Sequence, residues 1–463
     1  LERPPLSYIL HGPAAVIDGL AEALLAGPWN AQGLLERAGL ALGKRYRWLR
    51  PLAERVIAAF PDAPPMRQER LFQFLWNDPR LTRVRQRHAL ALRFVAWPAP
   101  VMSSPSGPAR SWPVTPISTP AELARILELS PGELDWFSDC QSRERSTVQE
   151  PLRHYRYHWV VKASGSLRLI EAPKPRLKQL QRKLLTDILQ HIPPHESAHG
   201  FRAGRSIATY VAPHVGQTIV LKMDLRDFFV SITRARVFSI ILTAGYPEDL
   251  ARRLAGLCTN TVPIAVWNQS AAVCRDPSTM AADWLARRRY RQPHLPQGAP
   301  TSPALANLAA YRLDARLAGL AHAAEARYTR YADDLLFSGG ESFARTIRRF
   351  AAHAAAIALE EGFAVQHRKT RVMRQGIQQR VAGLVINQKA NTPRQEYDRL
   401  KAVLFNCVRH GPQSQNRAEV PDFRAHLAGR IAHVAHVNPE KGRRLAALFE
   451  RIVWWRGPDK EPS

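Results

Sequence analysis

Apolar residues recur three and four positions apart through the first hundred residues. Ala15 to Leu25 and Ala31 to Leu42 both carry this spacing, which predicts amphipathic helices. Residues 1–98 are therefore expected to form a helical N-terminal extension, with Trp29, Trp48, Trp76 and Trp97 anchoring a small core. The periodicity stops at 99–120, where prolines alternate with Ser and Gly, and a linker is expected there. Thr119-Pro120 then supplies an N-cap and a first helical residue. Ser130-Pro131 opens a second short helix carrying Leu134, Trp136 and Phe137. Tyr155 to Ala163 and Ser166 to Ala172 read as paired strands turned at Ser164-Gly165. Between Leu177 and Ile192 the leucines and isoleucines line one helical face, with Lys178, Arg182 and Lys183 away from it.

Further on, Ile219 to Met223 is an apolar strand ending at Asp224, and Tyr328 to Ser338 reads as a hairpin with acids at its tip. Ser342 to Glu361 is a helix closed by Gly362. Val365 to Met373 and Arg380 to Ile386 are expected as strands. Thr392-Pro393 opens a helix ending near His410, and the remainder to Trp455 is helical and basic. Mixed strands and helices in this order predict an α+β fold.

The adjacent acids Asp333 and Asp334 carry the chemistry. Touching carboxylates repel and resist burial. A hard divalent cation between them removes both costs, and Mg²⁺ prefers such oxygen ligands. A third acid would complete a two-metal site for phosphoryl transfer, and Asp224 is the candidate. Asp-Asp pairs also occur in solvated turns, so the pair needs its context. A net charge of +27 points to a polyanionic partner. Cys140, Cys258, Cys274 and Cys407 are too scattered for a zinc site or a disulfide framework and are expected as small core residues. No run of 18 apolar residues and no basic-then-apolar leader occurs, so no membrane association is expected and a cytoplasmic location is the simplest expectation.

Tyr331-Ala332-Asp333-Asp334 resembles the catalytic box of reverse transcriptases. Leu221 to Phe229 resembles the box holding their first catalytic aspartate, and Leu295 to Pro303 the one that supports the incoming nucleotide. Within that family the chain is most similar to the bacterial retron type. His199-Gly200-Phe201-Arg202-Ala203-Gly204-Arg205-Ser206 resembles the fingers box, Ile170 to Lys178 the approach to it, and Val381 to Asn387 a Val-Thr-Gly signature near the thumb. Ala382 replaces the Thr, and only His214 matches in Tyr210 to His214.

The resemblance implies a right-hand polymerase: fingers at 121–215, palm at 216–390 and helical thumb at 391–463. Asp224, Asp333 and Asp334 would be catalytic and, with the Leu225 carbonyl, would hold two Mg²⁺ ions. Phe229 would exclude the 2′-OH of an rNTP, while Gln297, Gly298, Arg202 and Lys369 would contact the dNTP, with Arg168 and Lys174 as further triphosphate candidates. Asp227 is read as a structural or solvated acid, and Phe228 as pointing opposite to Phe229 along a strand. Lys174, Arg176, Lys178, Arg288, Arg289 and Tyr331 are expected along the nucleic-acid path. The implied partners are a structured non-coding RNA serving as template and primer, its DNA product, dNTPs and a defence effector protein acting against phage. The competing readings are a group II intron-like or other bacterial reverse transcriptase, and a non-catalytic RNA-binding scaffold on the same fold. No His/Cys cluster follows the thumb, which argues against the intron reading.

Overall fold

The computed structural model describes residues 12–25, 29–61, 68–88, 90–92, 112–161, 167–273 and 288–454. Trp97, the Ser164-Gly165 turn, Cys274, Trp455 and most of the proline-rich segment lie outside them. The chain divides into two compact units, one built from 1–106 with 116–126 and 245–250, the other from the remainder. The helix after the proline-rich segment thus groups with the N-terminal unit, although its position in the sequence assigned it to the fingers.

The first unit contains α1 (Pro13–Leu25), α2 (Ala31–Ala41), α3 (Leu49–Ala59), α4 (Gln68–Asn77) and α5 (Pro79–Arg87), then most of α6 (Pro120–Leu127). Its core is aliphatic: Ile17, Leu20, Leu24, Leu34, Leu52, Val56, Leu71 and Leu75 are buried together. Trp29 and Trp48 only flank this core. Trp76 is 37% exposed and lies outside this core, stacked on Phe72 at 5.6 Å. Leu71 and Leu75 take the inward face of α4, and a residue one step on is turned roughly 100° away. At α6, Thr119 accepts from the Glu122 N–H, the N-cap expected from the sequence, and Glu122 accepts from the Ser118 N–H in return.

In the second unit, α7 (Pro131–Ser138) precedes a ribbon of β1 (Tyr155–Val161) and β2 (Leu167–Pro173) and the helix α8 (Pro175–Asp187). α8 ends sooner than the apolar pattern suggests. Ile188 leaves helical geometry at φ −126°, and a 3-10 turn keeps Ile188 and Ile192 buried. The tail of the proline-rich segment is not a free linker: Val114 is buried and Thr115 donates from Oγ1 to the Asp187 carbonyl at 2.8 Å.

The central sheet comprises β3 (Ile219–Asp224), β4 (Arg327–Tyr331), β5 (Asp334–Gly339) and β6 (Arg371–Arg374) in the order β4-β5-β3-β6, each pairing antiparallel. Its two faces follow the alternation of side chains. Phe337 packs on Phe350 of the helix Glu341–Glu360, with ring centroids 5.0 Å apart. Val220, Leu336 and Met373 meet Tyr210 and Val211 of α9 (Ile207–Val211) on the other face. The helices Arg394–His410, Phe423–Val437 and Pro439–Glu450 share their own core of Leu400, Leu404, Leu427 and Leu445.

Two expected strands shrink. His367–Lys369 forms a 3-10 turn, leaving only β6 of the stretch 365–373. The stretch 380–386 breaks into β7 (Arg380–Val381) and β8 (Leu384–Val385) because Ala382 and Gly383 turn at φ 47° and 85°. Cys258 and Cys407 are buried, but Cys140 is exposed, contrary to its expected core role.

His214 ties the sheet together. One ring nitrogen lies 2.7 Å from Ser338 Oγ on β5 and the other 2.9 Å from Thr329 Oγ1 on β4. Burial, with the nearby Arg327 and His199, pushes it down to about 3. The fold therefore holds the neutral ring. Its stabilising effect is complete above pH 6.5, the ordinary histidine value, and is lost as pH falls toward 3. Urea unfolding of His214→Gln should lose less stability than wild type across that interval. Parallel losses in the two proteins would contradict this linkage.

Candidate active site

The antiparallel register brings the acids together. Asp224, the last residue of β3, pairs with Asp334, the first of β5, and Asp333 occupies the turn between β4 and β5. The Leu225 N–H donates to the Asp333 carbonyl at 2.8 Å and locks this turn onto β3. Ala332 completes the turn at φ 54°, a conformation costly for a residue with a side chain. Gly200 is pressed against it: a Cβ there would lie 2.7 Å from the Ala332 nitrogen.

A buried ion pair supports the tip. Arg330 and Asp314 have fully buried side chains and meet through two bonds of 2.7 Å. The same guanidinium donates at 3.0 Å to Asn307 Oδ1 and to the Ala332 carbonyl, while Asn307 donates to the Gly200 carbonyl. Each buried charge thus has its partner, and the spare donors hold the backbone beside Asp333.

Burial raises the Asp333 carboxyl above its ordinary value, and the charges of Asp224 and Asp334 push the same way. Burial also raises Asp334, opposed by Lys222, whose Nζ lies 3.0 Å from its Oδ2. Lys369 Nζ clamps both Asp224 oxygens at 3.0 and 2.9 Å. Asp333 has no ion-pair partner among the described residues.

The donor chemistry fits a hard divalent cation: crowded carboxylates, and a Leu225 carbonyl that accepts no hydrogen bond from the described residues. Lys222 and Lys369 supply the positive charge in its place. No three His, Cys, Asp or Glu side chains among the described residues are arranged as a ready-made metal cage.

Asp224, Leu225 and Asp333 face a cavity of about 760 Å³, which Phe229, Gln297, Gly298, Lys178 and Lys369 also line. Gln297 Oε1 is buried there without a partner among the described residues, an acceptor open to a ligand. Gly298 sits at φ 135°, and a Cβ on it would meet the Glu171 carbonyl at 2.8 Å. The Glu171 N–H in turn donates to the Gln297 carbonyl, fixing this wall to β2.

Phe229 faces the cavity, but the buried Phe228 lines it too and its ring meets that of Phe229 edge-on at 5.6 Å, so the two do not point opposite ways; residues 226–231 form turns rather than a strand. The turn keeps the two rings together, where strand alternation would have parted them. Asp227 also reaches the cavity wall while paired with Arg289 at 2.8 Å.

The other expected contacts are not gathered here. Arg202 donates to the His195 carbonyl, Lys174 to the carbonyls of Glu150 and Pro151, and Arg176 to that of Glu128. Arg288 is exposed, and Tyr331 is half-buried between Phe201 and Tyr210. Arg168 does line the cavity, together with Arg182, Arg226, Gln366 and Phe201, which sequence reasoning had not assigned to the site. Two signals were available. Lys178 and Arg182 are four apart on one helical face. Lys222 precedes Asp224 by two on a strand and so shares its face.

Replacing Asp333 by Asn removes the charge that its surroundings disfavour. In EDTA at neutral pH, Asp333→Asn should melt above wild type, and added Mg²⁺ should raise wild type more than the variant. A lower melting point for the variant in EDTA would contradict the repulsion described here.

Residues 160–397 match the family model described as reverse transcriptase (RNA-dependent DNA polymerase). The chain is 42% identical over 330 residues to the retron Mx65 reverse transcriptase of Myxococcus xanthus, covering 71% of this chain and 70% of that protein. It is 35% identical over 360 residues to the retron Mx162 reverse transcriptase of the same organism, covering 74% and 69% respectively. The retron Ec86 reverse transcriptase of Escherichia coli is 29% identical over 301 residues, covering 64% of this chain and 81% of that protein.

Proposed function

Because the chain belongs to the reverse transcriptases, and among them to the bacterial retron type, we propose that it copies a structured non-coding RNA into single-stranded DNA. Synthesis starts from a 2′-OH of that RNA and leaves a branched RNA–DNA product, in a system that defends against phage together with an effector protein. The family membership makes the chain an RNA-directed DNA polymerase. The observation that carries its assignment to this site is the pairing of Asp224 with Asp334, with Asp333 on the rim of the cavity that Phe229 and Gln297 also line.

In this reading Asp224, Asp333, Asp334 and the Leu225 carbonyl would hold two Mg²⁺ ions, which would supply activation of the attacking hydroxyl and charge neutralisation at the leaving pyrophosphate. Lys369, which clamps Asp224 and lines the cavity, is placed to give its proton to a pyrophosphate oxygen. Arg168, Lys178 and Arg182 face the cavity and suit the triphosphate. Arg202, bonded to the His195 carbonyl, orders the fingers loop instead. The free Gln297 Oε1 accepts from the nucleotide, and Phe229 blocks a 2′-OH.

Two experiments test this reading. Phe229→Val should raise the kcat/KM for rNTPs relative to dNTPs by on the order of 10- to 100-fold. An unchanged ratio would remove Phe229 from sugar selection. Nucleic acid extracted from the protein expressed with its flanking DNA should contain a discrete single-stranded DNA whose mobility shifts after debranching. Primer extension with dNTPs but no such DNA would keep the polymerase and reject the branched product.

A further inference from the structure

The first unit carries a cationic surface that the polymerase site does not use. α5 contains four arginines and no acid in the sequence Pro79-Arg80-Leu81-Thr82-Arg83-Val84-Arg85-Gln86-Arg87. Arg85 is committed locally: it lies 4.4 Å above the Trp76 ring and donates to the Trp76 carbonyl at 2.8 Å. Arg80, Arg83 and Arg87 are exposed, and their side chains make no ion pair or hydrogen bond with any described residue. Their spacing of three and four residues sets them on one face, along roughly 10 Å of helix.

The helix is built to hold this face outward. Arg55 of α3 grips Asp78 through two bonds of 2.8 and 3.0 Å, and Asp78 also accepts from the Leu81 N–H at 2.7 Å, capping α5. Leu81 is buried in the core. α3 and α5 together wall an open cleft of about 640 Å³, reaching from Pro51 and Ala58 to Arg80 and Arg83.

Beside the α3 end of this cleft, the segment from Lys44 to Arg50 interleaves cations with aromatics. Tyr46 and Trp48 stack at 5.6 Å, half-buried, and Arg47 and Arg50 are exposed. Glu54 is the exposed acid of the cleft, and Asp78 is neutralised by Arg55.

We propose that this face is a nucleic-acid site: Arg80, Arg83 and Arg87, with Arg47 and Arg50 just before and at the start of α3, bind the phosphate backbone of the folded RNA that the enzyme copies. The RNA as partner rests on the function proposed above; the polyanion specificity rests on this face alone. Guanidinium forks match phosphate oxygens, and unpaired ones lose no existing bond on binding. A membrane surface fits less well, because Leu81 is buried and Val84 half-buried, which leaves no exposed apolar stripe on α5 to insert.

The test uses the full chain and a labelled RNA hairpin, with affinity measured across a salt series. Arg80→Gln, Arg83→Gln and Arg87→Gln combined should weaken binding at low salt by on the order of 10-fold or more. The slope of log affinity against log salt should fall by roughly 2 to 3, about one for each lost phosphate contact. Arg85→Gln, which frees no phosphate contact, serves as the control and should leave the slope unchanged. Extension of a short primer annealed to RNA, assayed on the same proteins, should be equal throughout, and its loss in wild type would reject the polymerase reading separately. Wild-type affinity and slope in the triple variant would overturn the proposal, and would leave a protein partner as the occupant of this face.

Discussion

Three carboxylates held at one end of a sheet is the constraint on which the rest of the second unit depends. Asp224, Asp333 and Asp334 are brought together by antiparallel register and by a tight turn, so they cannot separate without breaking backbone hydrogen bonds. Their repulsion is opposed locally by Lys222 and Lys369. The turn itself is supported from behind, where the buried Arg330–Asp314 pair reaches the Ala332 carbonyl and, through Asn307, the loop at Gly200. Removing one partner of such a pair leaves an uncompensated buried charge, which costs about 3–5 kcal/mol. The tip is thus rigid where its chemistry requires carboxylates to stay close.

The remainder of the site is arranged around this fixed point. β2 holds Gln297 and Gly298 through backbone contacts, and a turn after β3 presents Phe229 to the same cavity. Rigid backbone on both walls leaves the long cations Lys178, Arg182 and Lys369 as the adaptable parts. That division suits an enzyme that must hold its reacting centre still while nucleic acid advances past it.

Much of this was legible in the sequence because it is local. The hairpin with acids at its tip, the strand ending at Asp224 and the helix caps at Thr119 and Ser130 each depend on neighbouring residues. What was not legible depends on distant ones. Nothing near Arg202 signals that it donates to His195, or near Lys174 that Glu150 and Pro151 hold it. The turn at 226–231 escaped because Phe228-Phe229-Val230 has the composition of a strand, and tertiary bonds such as that of Arg226 to the Ala364 carbonyl override it. Trp76 and Cys140 were assigned to cores by residue type, whereas exposure is decided by which neighbours take the inward face. The fingers, palm and thumb boundaries came from resemblance, and compactness alone divides the second unit no further.

The most direct measurement is extension of a DNA primer on an RNA template with dNTPs and Mg²⁺, comparing wild type with Asp224→Asn, with unfolding and RNA binding followed on the same samples. A loss of on the order of 10³-fold or more, equivalent to several kcal/mol of transition-state stabilisation, is expected with folding and RNA binding retained. Synthesis within a few-fold of wild type would contradict the assignment of this carboxylate cluster as the polymerase centre.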